Sequence, residues 1–179
     1  MIARTSFVER ECNLLRTFLE FMNEAAFDPE DAFSLQQVAI RAVYHELSSI
    51  VEHEVQEIAF SSNPPLSPSE VEGLLENRRA VKQRLDPTIA SFRALDSKLS
   101  EAFGVSLREL PEAGTVDRVR ELANSFKHRK GRKRFEDMER VPDHRDLDFD
   151  QARADVDAVQ RFLEALWNHT KGLPRRRPH

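Results

Sequence analysis

Five glycines in 179 residues are too few for a fold built on tight β-turns. A lone cysteine, Cys12, has no internal disulfide partner, and no cysteine cluster offers a zinc site. No apolar run approaches the roughly 18 residues that a membrane span needs. The stretch from Met1 to Glu11 carries charges where a secretory leader requires an apolar core. A glycine-rich phosphate loop, an HExxH or CxxC motif, a paired-acid spacing and an internal repeat are all missing, and no segment shows convincing period-two alternation. These absences exclude β-rich, disulfide-stapled and zinc-dependent classes. They leave the expectation of a cytoplasmic protein with no metal, no other cofactor and no membrane partner.

What the chain does contain is helical periodicity. Charged residues make up 32% and apolar ones 40%, the balance of a globular chain rather than a disordered one. The length suits one domain with a sizeable core, expected over residues 1–172, followed by a basic tail, 173–179. A first helix is expected from about Ser6 to Ala26, with Phe7, Leu14, Leu15, Phe18, Leu19, Met22 and Ala25 as its stripe and Asp28-Pro29 ending it. Cys12 lies inside it and reads as inert packing or surface.

Ser34 and Gln37 have the spacing of a capping box for a second helix. From Leu35 to Ala59 apolar residues repeat at helical steps for about 40 Å, long enough for the main strut of a core. Glu46 and Glu54 stand at the border of this stripe, where an edge glutamate reaching solvent or an arginine is the favoured reading. His45 and His53 fall on the polar side and read as solvated.

Ser67-Pro68-Ser69-Glu70 marks another start, with Val71, Leu74, Leu75, Val81 and Leu85 following. Asp86-Pro87 restarts the pattern with Ile89, Phe92, Leu95, Leu99 and Phe103, and Gly104 ends it. One short turn fits Ser106 to Leu110, stopped by Pro111. Glu136 to Phe149, which contains His144, reads as an irregular connector. The last helix is expected from Asp150 to Thr170, packing through Ala152, Val156, Val159, Phe162, Leu163, Leu166 and Trp167, with Gly172 and Pro174 closing it. The sum is an all-α, up-and-down bundle of about five to six helices.

The chain's chemistry concentrates between Thr115 and Arg134. Val116, Val119, Leu122, Ala123 and Phe126 share one helix face. Thr115 has the chemistry of an N-cap, and Gly131 that of a left-handed helix end. Beside the stripe, at about 100° per residue, cluster Asp117, Arg120, Asn124, Lys127 and His128. The imidazole of His128 can move a proton near neutral pH, the guanidinium of Arg120 can grip a phosphate, and the amide of Asn124 can orient either. The same pattern also describes the solvated flank of any amphipathic helix.

Lys127, Arg129, Lys130, Arg132, Lys133 and Arg134 are six cations in eight residues, and Arg175, Arg176 and Arg177 add three. Without those nine, eighteen basic residues face thirty-one acidic ones, a net of −13 hidden within an overall −4. Positive charge so concentrated is the footprint of a polyanion partner. A solvated loop paired with the acids of residues 136–150 is the competing reading.

Three stretches give the chain a resemblance to the HEPN (higher eukaryote and prokaryote nucleotide-binding) superfamily of helical bundles. In QQVAIRAVYHELSSIVEHEV, Glu46 stands where the family often has an acidic residue. RELANSFKHRKG is similar to the family's polar-then-histidine motif late in the bundle. LDFDQARADVDAVQRFLEAL is similar to the helix that follows it. The likeness covers about two thirds of the chain.

Many members of that family are metal-independent endoribonucleases that act as dimers, an arginine and a histidine meeting across the interface. Others are non-catalytic RNA-binding, antitoxin-like or assembly modules. Asn124 and His128 match the motif's polar and histidine positions. Ala123 stands where the arginine is most often found. Arg120, separated from His128 by seven residues, lies one beyond the usual window.

The resemblance therefore implies a homodimer that binds RNA. In that reading His128, Arg120 and Asn124 are catalytic, Lys127, Arg129, Lys130, Arg132, Lys133 and Arg134 hold substrate, and Glu46 and Asp117 support the site. The alternative it implies is a non-catalytic helical module that dimerises or binds a protein partner, of antitoxin or defence-system type.

Overall fold

A computed structural model describes residues 2–61, 91–129 and 148–170, with side chains over 7–28, 32–59, 91–126 and 148–170. The fold is an all-α bundle. Its described elements are α1 (Ile2–Glu24), α2 (Pro29–Ser61), α3 (Phe92–Phe103), a 3-10 turn (Leu107–Glu109), α4 (Ala113–Arg129) and α5 (Phe149–Thr170). The expected helix after Ser67, the Asp86-Pro87 restart, the connector around His144, the Gly131 stop and the Gly172–Pro174 closure lie outside the described residues.

Two compact units are built from these elements. The first takes α1, α2 as far as Val51, α4, and α5 as far as Ala165. The second takes α2 from Glu52, α3, the 3-10 turn, and α5 from Leu166. Helices α2 and α5 contribute residues to both units.

Local chemistry explains where the helices begin and end. Pro29 is the first residue of α2, a position where its fixed φ suits the helix and its missing N–H is not needed. Asp28-Pro29 therefore opens α2 as well as following α1. Ser34 lies inside the helix rather than capping it, because the proline sets an earlier start. Ser91 caps α3, its hydroxyl accepting from the Ala94 N–H at 3.2 Å. Gly104 closes α3 at φ 70°, as its sequence position suggested.

After α3, Asp96 Oδ1 accepts from the Leu107 N–H at 2.7 Å and holds the 3-10 turn against the helix. Glu112 then adopts φ 64°, and its carbonyl accepts from the Val116 N–H. Helix α4 consequently starts at Ala113, and Thr115 is a first-turn residue rather than the cap. For α5, Asp148 Oδ1 accepts from the Gln151 N–H at 2.8 Å, the geometry of an N-cap.

The first unit's core is drawn from one face of each helix. On α5 the expected face is the buried one. On α4, Val116, Val119, Leu122 and Ala123 are buried, with Phe126 at the edge. α1 is helical, but its buried face differs from the expected stripe. Val8, Cys12 and Leu19 are buried, whereas Phe7, Leu14 and Phe18 are exposed. On α2, Leu35 and Val38 are likewise exposed, and Ile40 and Tyr44 join the core instead. Each buried side chain of this size contributes about 1.5–3 kcal/mol.

Candidate functional site on the flank of α4

Helix α4 is held by a buried polar knot that ties it to α2 and α5. Asp155, on α5, is 1% exposed. Tyr44 of α2, fully buried, donates its hydroxyl to Asp155 Oδ2 at 2.6 Å. Arg118 of α4 donates Nη2 to Oδ1, and Gln151, one turn back on α5, donates Nε2 to the same oxygen at 3.0 Å. A buried carboxylate costs several kcal/mol unless its lone pairs are met, and three donors from three helices meet them here. Burial, reinforced by the charge of Asp155 and its hydrogen bond, pushes the Tyr44 phenol well above its ordinary value, with Arg118 opposing. Tyr44 thus remains a neutral donor.

A second tie fixes the start of α4. Arg161 of α5 donates Nε and Nη2 to Glu112 Oε1 at 3.0 and 2.8 Å. Together the two ties hold α4 against α5 at its beginning and along its first two turns.

The flank singled out from the sequence stands on this anchored helix. Asp117 is exposed; Arg120 keeps 18% of its side chain exposed, with Nη1 3.9 Å from Asp117 Oδ1. Asn124 is half-buried one turn further along. Lys127, His128 and Arg129 belong to the last turn of the helix; their side chains, and all of Lys130, Arg132, Lys133 and Arg134, lie outside the described residues. Ala123 is fully buried, so the position that the family resemblance links with arginine packs into the core.

On α2, Glu46 is solvent-exposed. Its neighbour His45, expected to be solvated, is half-buried. Its ring meets that of Phe126 edge-on, centroids 5.9 Å apart at 62°. Phe126 sits at the edge of α4's stripe and offers an apolar surface that withdraws the imidazole from water. His53 is exposed, as expected. Glu54, expected at the stripe's edge to reach solvent or an arginine, is buried, 3% exposed, on the part of α2 that belongs to the second unit. Among the described residues, no cluster of three or more acidic, histidine or cysteine side chains could hold a metal ion. No described helix is long and apolar enough to cross a membrane.

Asp155 and Tyr44 are not among the residues singled out from the sequence, and His45 reads there as solvated. The signal for Asp155 was present. It lies three residues after Ala152 and four before Val159, on the stripe itself, where an acid requires buried donors. Nothing in the sequence named Tyr44 and Arg118 as those donors. Comparison with protein-family models, curated proteins and solved structures finds no match.

Proposed function

We propose that this chain is an RNA-associated helical protein of the HEPN type, with its site on the flank and last turn of α4. The observation that carries the reading is the continuity of α4 through Arg129. An unbroken helix puts the backbone positions of Arg120, Asn124, Lys127 and His128 on one flank within about two turns. The leading cations of the basic cluster follow from that same end.

In this reading His128 is the general acid–base of a metal-independent endoribonuclease. It takes the proton of a ribose 2′-OH as that oxygen forms its bond to the adjacent phosphorus. It then returns a proton to the 5′ oxygen as the P–O bond breaks. Arg120 steadies the phosphate and Asn124 orients the imidazole. Lys127, Arg129, Lys130, Arg132, Lys133 and Arg134 hold the backbone.

The buried Ala123 favours a second reading. With its motif arginine replaced by a core residue and Arg120 drawn beside Asp117, the same surface binds RNA without cleaving it. The chain would then act as a non-catalytic module of antitoxin or defence-system type.

The test is incubation of wild type and His128→Ala with structured and unstructured RNA in EDTA. Cleavage by wild type alone is expected of the enzyme. Equal cleavage by both proteins removes His128 from the mechanism. RNA retention without cleavage by either selects the binding module, and the absence of both ends the RNA assignment.

A further inference from the structure

We draw no further inference here: the strongest candidate, the exposed apolar stripe of Phe7, Leu14, Phe18 and Phe21 along α1, carries nothing because nothing in the structure shows what covers it.

Discussion

Tyr44 is the only tyrosine in the chain, which makes its titration a direct report on the knot at Asp155. Its folded pKa lies above the ordinary 10.0 because burial and the Asp155 carboxylate oppose the phenolate. Below that pH both folded and unfolded chains keep the proton, and the contribution to stability is whole. Above it the unfolded chain releases the proton while the folded chain holds it. Stability should therefore fall as pH rises, by up to about 1.4 kcal/mol per pH unit from this one group. Tyr44→Phe should lose about 2 kcal/mol at neutral pH, the worth of a hydrogen bond to a charged acceptor. In exchange it should show a shallower alkaline decline. Urea midpoints for both proteins at roughly pH 7 and pH 11 test this, alongside the near-ultraviolet tyrosinate absorbance of the folded wild type. Tyrosinate appearing at its ordinary pH, before unfolding, would contradict the buried assignment.

At the scale of elements, the junction into α4 sets strain against an ion pair. Glu112 has no Cβ-free excuse for φ 64°, and the left-handed region costs a side-chain-bearing residue about 1 kcal/mol. Its carboxylate recovers part of this through Arg161, but that pair is half in water, with side chains 56% and 30% exposed, and contributes about 0.5–1 kcal/mol. Glu112→Ala keeps the strain and loses the pair, so it should destabilise by about 1 kcal/mol. Glu112→Gly loses both and should be close to neutral. Equal urea midpoints for the two variants would mean that the backbone there is not strained.

The same junction shows what the sequence could and could not convey. Thr115 had the right chemistry for a cap, yet a left-handed residue three positions earlier began the helix first, and such a φ has no signature in a glutamate. Gly104, by contrast, was legible because the residue type itself states the conformation. Helical periodicity identified α1 and α2 as helices, but both carry apolar residues on more than one face. Pattern alone could not decide whether Phe7 and Leu14 or Val8 and Cys12 met the core. On α5, where polar residues fill the other faces, the buried face followed directly. The chemistry along α4 was legible as residue types at a spacing; the knot that anchors that helix was not, since Arg118 and Tyr44 lie 37 and 111 residues from Asp155 in sequence.

For the whole molecule the decisive quantity is how unevenly charge is distributed. An overall −4 conceals six cations from Lys127 to Arg134 and a remainder, once the tail arginines are also set aside, of −13. A remainder of that sign opposes a polyanion, so RNA binding should be local to the cationic segments and should collapse when the 127–134 cluster is neutralised. If the six cations each meet one phosphate of a single strand, the logarithm of affinity should fall with the logarithm of salt at a slope of about −4. That amounts to a loss of about 10²-fold between 50 and 200 mM. The triple variant Lys130→Glu, Arg132→Glu, Lys133→Glu leaves three cations beside three new acids. Its slope should shrink to about −2 or less, and its affinity at low salt should drop by more than about 10²-fold. Fluorescence anisotropy of a labelled single strand across a salt series measures both. An unchanged slope in the triple variant would mean that the phosphates meet other cations, and the site would have to leave α4. A reduced slope with cleavage intact at saturating RNA would separate the residues that hold the strand from the group that cuts it, because His128 carries no part of the salt-dependent attraction while it is neutral.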